Sequence, residues 1–202
     1  MRGGPVVDRS RDAGAEIVSV NAAVLAALAT TVHPQDPVGV VAIPASGPID
    51  DNRVVVLVDI SDPGNMGTLV RSAAAFGWQV AVFGGVDPWS PKVVRAGAGA
   101  HFARPLVMLD DLTVIGEQGL AMIACIVSGG QPPELFAHET ALALLVGSEA
   151  HGLPVEVIAA CDGAATIPMP GGFESLNAAT AGTIAMYLLG PGVNGRSESQ
   201  DL

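Results

Sequence analysis

Charge is scarce in this sequence. Only 14% of its 202 residues are Asp, Glu, Lys or Arg, and nine basic residues face twenty acidic ones, for a net charge of −11. That balance excludes a protein that holds nucleic acid by indiscriminate cation–phosphate attraction, which draws on many lysines and arginines. Two cysteines, Cys125 and Cys161, make no disulfide framework, and neither has a CxxC partner. Both lie in or beside apolar segments, so the expectation is structural thiols in a reducing cytoplasm. The four histidines, His33, His101, His138 and His151, are scattered without HExxH or Cys/His spacing, which argues against a metal site. No uncharged apolar run approaches the roughly 18 to 20 residues of a membrane helix. The first dozen residues carry Asp8, Arg9, Arg11 and Asp12 and no apolar centre of a signal peptide. No GxxxxGK[ST] loop exists, and the one GxGxxG match, Gly190 to Gly195, follows a helical pattern and opens no helix, so neither phosphate-binding loop is present.

What the chain does have is apolar content, half of its residues. That excludes disorder and provides for one good core, with at most a small appendage. Val54 to Ile60 is a near-continuous β-branched run suited to a parallel strand covered on both faces. Gln79 to Phe83, Ala121 to Val127, Ala141 to Val146 and Ala164 to Pro168 read as further strands. Thr68 to Phe76 reads as a helix stopped by Gly77. A second helix starts at Ser90-Pro91-Lys92, with Ser90 as cap and Pro91 at its first position. Pro154 to Ala160 reads as a short helix and Leu176 to Leu189 as a long apolar one. This alternation predicts an α/β fold, a mostly parallel sheet with helices on both faces. Ahead of it, Glu16 to Val20 and Val38 to Ile43 look like strands flanking an alanine-rich helix, Asn21 to Thr31, and Pro44 to Asp51 is linker. The organisation expected is an N-terminal segment over 1–50, a folded domain over 51–190, and a disordered polar tail over 191–202.

Three segments resemble one another in design. Asp62-Pro63-Gly64-Asn65-Met66-Gly67-Thr68-Leu69-Val70-Arg71 runs from a buried strand through a glycine-paved turn into a helix bearing one cation. Leu145 to Leu153 ends a strand in a glycine-flanked turn that presents Glu149. Ile167 to Asn177 is a proline and glycine loop entering the long helix, with Ser175 and Asn177 at its mouth. Singly, each is as well explained by capping and solvation as by a site. Together, at the carboxyl ends of strands in one sheet, they mark where α/β proteins bind ligands.

Asp62 to Gly77, Leu145 to Leu153 and Ile167 to Ala179, in this order, resemble the signature motifs of the SpoU (TrmH) class of SPOUT RNA methyltransferases, over about Arg53 to Leu189. The likeness extends through Ser90 to Ala100, with Gly97 where the family usually has serine. In the second motif Ser148 stands where asparagine or alanine is common. The resemblance implies a SPOUT-type fold with a C-terminal trefoil knot. It also implies methyl transfer from S-adenosylmethionine to a ribose 2′-hydroxyl of tRNA or rRNA, and a homodimer with each site drawing on both chains. By motif position it implies that main-chain groups near Gly147, Ile167 and Leu176 hold the cofactor's adenosine. Arg71 is then the catalytic arginine, and Asn65, Glu149, Ser175 and Asn177 occupy the other active-site positions. A guanidinium stays protonated at any ordinary pH, so Arg71 is better suited to grip a phosphate and stabilise alkoxide charge than to act as a base.

Many members of that family carry an RNA-binding domain of about a hundred residues ahead of the motifs, whereas about fifty precede Arg53 here. From Pro63 through Leu109, four cations (Arg71, Lys92, Arg95, Arg104) stand against Asp87 alone, a local charge of +3 that leaves −14 on the remainder. The alternatives to an active RNA methyltransferase are a cofactor-binding domain that needs a partner for RNA contacts and a dimeric interaction module.

Overall fold

The computed structural model describes residues 4–29 and 36–190. The chain divides into two compact units, residues 1–43 and 44–202. In the first, helix α1 (Pro5–Asp12), not expected from the sequence, starts at a proline and carries Arg9 and Arg11 in its last turn, where cations suit the helix dipole. Helix α2 (Ala22–Leu28) has Asn21 as its cap, with Oδ1 accepting from the Val24 N–H at 2.9 Å. The helix ends before the expected Thr31; residues 30 and 31 lie outside the described residues, as does the tail from 191. The strands expected over 16–20 and 38–43 do not form. β-branched residues favour extended backbone, but a strand needs a second strand to take its N–H and C=O groups. Without that partner Val18, Val40, Val41 and Ile43 remain exposed.

The second unit runs β1 (Arg53–Val58), α3 (Pro63–Phe76), β2 (Gln79–Phe83), α4 (Pro91–Ala96), β3 (Val107–Met108), α5 (Thr113–Glu117), β4 (Ala121–Cys125), β5 (Leu142–Val146), α6 (Val155–Ala159), β6 (Gly163–Ala165) and α7 (Ala178–Leu189). All six strands are parallel, in the order β3-β2-β1-β5-β4-β6. Both faces are covered, as the continuous apolar runs predict. Val55 and Leu57 of β1 pack with Met66, Leu69, Val70 and Ala73 of α3 and Ala185, Met186 and Leu189 of α7. The alternate residues Val54, Val56 and Val58 face Ile115 of α5, with Val157 and Ile158 of α6 packed against that second cluster. β1 and β5 are neighbours, yet the chain leaves β1 toward β2 on one side and reaches β5 from β4 on the other. Loops leaving these two strands diverge at the sheet's carboxyl edge and open a crevice, the place where such sheets take ligands.

Several boundaries differ from expectation for identifiable reasons. α3 begins at Pro63, five residues early, because Asp62 caps it: Oδ1 accepts from the Asn65 N–H at 2.8 Å, which leaves the Asn65 side chain free for other work. Gly77 ends the helix as expected, at φ 75 in the left-handed region. Ser90 precedes α4 but makes no capping bond. The long helix starts at Ala178, since Asn177 accepts from Ala179 and Thr180 N–H and is the cap itself. β3 and α5 are too short to show a period in the sequence.

Gly67 fixes how α4 lies on α3. A Cβ there would meet the Ala96 methyl, the Val93 carbonyl and the Gly97 N–H, two of which are backbone and cannot rotate away. Alanine normally gains about 1 kcal/mol over glycine inside a helix, but overpacking against fixed backbone costs about 1–3 kcal/mol, so the clash wins. Gly67→Ala is expected to lower the urea midpoint without changing the slope of unfolding; an unchanged or raised midpoint would show that α4 is loosely seated.

Candidate active site

The three glycine-rich loops converge through hydrogen bonds between residues far apart in sequence. β1 ends at Val58, and Ser61 and Asp62 lead into α3; β5 ends at Val146, and the next turn carries Glu149. The Glu149 carboxylate collects three donors. Oε2 accepts from the Ser61 hydroxyl at 2.9 Å and the Ser61 N–H at 3.3 Å, and Oε1 accepts from Asn65 Nδ2 at 2.7 Å. Asn65 Oδ1 in turn accepts from Asn177 Nδ2 at 3.0 Å. Asn177 Oδ1 caps α7, accepting from Ala179 N–H at 2.9 Å and Thr180 N–H at 3.1 Å. The result is a continuous relay, Ser61–Glu149–Asn65–Asn177–α7, in which each amide has one orientation that satisfies both neighbours.

Partial burial pushes the Glu149 carboxyl upward, but the Asn65 hydrogen bond, Glu149's own N–H and the two Ser61 donors outweigh it and hold the group below its ordinary value. Glu149 is therefore an anion at neutral pH.

Glu149 also lines a cavity of about 390 Å³. Gly147, Ile167 and Leu176, expected around the cofactor, line the same cavity, together with Ser175 and with Val127 and Ala181. Its volume falls in the range of sites that enclose a drug-sized molecule, about 300–1,000 Å³. Gly147 is buried, and a Cβ on it would run into the main chain of Gly152 and Leu153, because the turn folds back on itself through the Gly152 N–H to Ser148 carbonyl bond at 2.9 Å. Gly147 and Gly152 both line the cavity, and having no side chains they present main-chain groups to it.

Asn65 and Asn177 also border a second groove, between α3 and α7, with Thr68, Ser72, Thr180 and Thr183 along it. Ser72 and Thr183 hydroxyls bond across it at 2.8 Å. Of the expected residues Arg71 alone joins neither the relay nor the cavity. It is exposed on α3, six residues and so about 9 Å along the axis from Asn65, with no hydrogen bond or ion pair among the described residues.

Ser61 is the participant that sequence reasoning missed. A hydroxyl just before a capping aspartate looks like turn chemistry, and its partner lies 88 positions away. Cys125, read as structural, lines the cavity and is half-buried; burial pushes its thiol up to about 11, which leaves it a weak nucleophile.

Residues 52–187 match the family model described as the SpoU rRNA Methylase family. The Bacillus subtilis 23S rRNA (guanosine(2553)-2′-O)-methyltransferase RlmP is 32% identical over 143 residues, covering 68% of this chain and 58% of that protein. An uncharacterized tRNA/rRNA methyltransferase of Synechocystis is 34% identical over 179 residues, covering 83% of this chain and 65% of that one. The chain thus spans less than two thirds of the length of either relative. Among solved structures, the AdoMet-bound rRNA methyltransferase from Sinorhizobium meliloti superposes with a TM-score of 0.73 at 28% identity, over 91% of this chain and 75% of that one. The SpoU methyltransferase AviRb from Streptomyces viridochromogenes, in complex with AdoMet, gives 0.66 at 28% identity, over 72% and 64%. The matched range takes in the whole relay from Ser61 to Asn177 and every cavity-lining residue named above, and on that match the chain belongs to the SpoU rRNA methylase family.

Proposed function

We propose that this chain transfers a methyl group from S-adenosylmethionine to a ribose 2′-hydroxyl of tRNA or rRNA. The observation that carries the reading is the meeting of all three motif loops in one relay beside one cavity of suitable size. The relatives named above are RNA methyltransferases, and two solved neighbours hold AdoMet.

The cavity fits that cofactor. Gly147 supplies an open main-chain edge for a purine, Ile167 and Leu176 offer apolar walls, and Glu149 places a negative charge on the wall of a site meant for a cation. The bound cofactor supplies an electrophilic methyl on a sulfonium, so the protein's share is alignment and proton management. Glu149, held by Ser61 and Asn65, fixes the loop after β5 against the start of α3. Asn177 fixes the start of α7 to the same point, and Ser175, two residues earlier on the cavity wall, offers a hydroxyl for orienting the substrate oxygen. Arg71 sits outside the cavity, where its guanidinium grips a phosphate of the entering RNA and stabilises alkoxide charge, while the proton of the 2′-hydroxyl passes to a neighbouring polar group or to water as the methyl is transferred.

We further infer a homodimer acting in the cytoplasm. α7 is apolar over most of its surface, and in the single chain Tyr187 remains 52% exposed and Ile184 half-buried beside the open α3–α7 groove. A second copy would cover them. The competing reading, a cofactor-binding domain without RNA activity of its own, draws on the net charge of −11.

Calorimetric titration of S-adenosylmethionine is expected to show one saturable site per chain. Gly147 tolerates no side chain, so the blocking variant is Val127→Trp, at a cavity position 55% exposed; loss of binding there with an unchanged melting temperature locates the site. Methyl incorporation into unmodified rRNA and tRNA transcripts then separates enzyme from binding domain. Arg71→Lys should lose about tenfold or more in kcat, because a point charge cannot replace a bidentate fork, while cofactor affinity stays put; full turnover would remove the phosphate-gripping role. Glu149 titrates below its ordinary value, so the relay is intact above that range and lost as pH falls through the folded-state pKa. Ser61→Ala removes one hydrogen bond to the carboxylate, which moves the acid limb of the kcat–pH profile upward and lowers kcat about fivefold at its plateau; an unmoved limb would mean that Ser61 does not set the state of Glu149.

A further inference from the structure

A 2′-hydroxyl has to lose its proton as it takes a methyl, and no residue of the relay is built to receive it. Both oxygens of the Glu149 carboxylate already accept hydrogen bonds, from Asn65 and from the two Ser61 donors, and those bonds hold it as a weakly basic anion. Arg71 lies outside the cavity, and a guanidinium has donors only. Cys125 on the cavity wall keeps its own proton, since burial pushes the thiol up to about 11. Ser148 and Ser175 present hydroxyls, which pass a proton on but do not hold it at neutral pH. The α3–α7 groove adds only amides, hydroxyls and apolar groups.

His151 is the remaining titratable side chain on the cavity wall. It is exposed to solvent, and its ring makes no hydrogen bond, ion pair or ring contact among the described residues. The other described histidines are engaged. His101 is buried with Nε2 on the Pro88 carbonyl at 3.0 Å, and His138 has Nδ1 on the Leu135 carbonyl at 2.7 Å and Nε2 3.3 Å from Glu139. The backbone beneath His151 is held even though its ring is free. Its turn, from Ser148 to Gly152, is closed by the Gly152 N–H on the Ser148 carbonyl at 2.9 Å, and the His151 N–H donates to Ser148 Oγ at 3.3 Å. The same turn carries Glu149, which the relay ties to α3 and α7. An unengaged imidazole therefore stands on the one turn that belongs to both the cavity wall and the relay.

We propose that His151 is the general base of the methyl transfer, taking the 2′-hydroxyl proton at the rim of the cavity. The inference rests on the methyltransferase reading and supplies the acceptor which that reading leaves open. In the step, the 2′-oxygen bonds to the methyl carbon as the carbon–sulfur bond breaks and its electron pair returns to sulfur. The hydroxyl proton moves to the free ring nitrogen, and the imidazolium gives it to water before the next turnover. A methyl held inside the cavity is approached from the open side. His151 is the wall residue that is both exposed to solvent and of a type that accepts protons near neutrality.

The test is single-turnover methyl transfer to unmodified tRNA and rRNA transcripts at saturating S-adenosylmethionine, which keeps product release from masking the chemical step. Cofactor affinity is measured by calorimetry on the same preparations. His151 is exposed and its backbone lies outside the left-handed region, so His151→Ala and His151→Gln are expected to fold as the wild type does. Each should lower the rate by at least about a hundredfold, with cofactor affinity unchanged. Added imidazole should restore the alanine variant in proportion to its concentration. It should do nothing for the wild type or for His138→Ala, which alters an exposed histidine away from the cavity wall. A wild-type rate in either His151 variant overturns the base. A loss that imidazole does not relieve also overturns it and reduces His151 to a residue that positions the turn; both results leave the methyltransferase reading standing. A wild type that binds cofactor and methylates neither transcript overturns both.

Discussion

The carboxylate of Glu149 is the point on which the site depends. A partly buried carboxylate with no donors would lose hydration without compensation. With donors from Ser61 and Asn65 it becomes the fastener between two loops that leave adjacent strands in opposite directions. Charge-assisted hydrogen bonds are roughly twice as strong as neutral ones, and here they act at the crevice of the sheet, where no ladder bond is left to hold the chain. The Asn65 to Asn177 bond carries the constraint to α7, so the cap of the longest apolar helix in the C-terminal third is set by a group at the end of β5.

Three glycines make that convergence sterically feasible. Gly147 lets the turn after β5 close on Gly152 and Leu153, and Gly67 lets α4 lie on α3 with backbone in contact. Gly182 does the same on α7, where a Cβ would press on Leu69 of α3 and Val146 of β5. Small residues here mark element-to-element approach, whereas Gly77 is present for its left-handed backbone angle. The β5 side of the cavity and the two ends of the relay therefore stand on packed elements, while Met169, Ser175 and Leu176 reach the wall from an exposed loop.

How much of this was legible depended on whether the signal was local. The central strands announce themselves by β-branched runs, since burial on both faces demands them. β2 was expected at its observed limits, and β1 and β5 within two residues of theirs. Helix ends were legible where one residue decides them, as at Gly77 and Asn21, and misread where two candidates compete. Asp62 caps α3 and frees Asn65, a choice made by Glu149 from across the sheet. The strands expected at 16–20 and 38–43 failed because propensity specifies a conformation and not a partner. Ser61 was illegible for the opposite reason: its role exists only in the pairing of β1 with β5. The likeness to the SpoU family supplied the residues that periodicity could not, and the fold places all of them except Arg71 on one relay or one cavity.

Arg71 standing apart is consistent with the chemistry. A guanidinium within hydrogen-bond reach of Glu149 would form an ion pair and compete with Ser61 and Asn65 for the anion that holds the loops. Separation by about two turns of α3 keeps the two charges apart, the anion on the cavity wall and the cation exposed to solvent. Asn65 and Asn177, which close the relay, also border the polar groove with Thr68 and Ser72, while Glu149 lines the cavity, so one relay faces two openings.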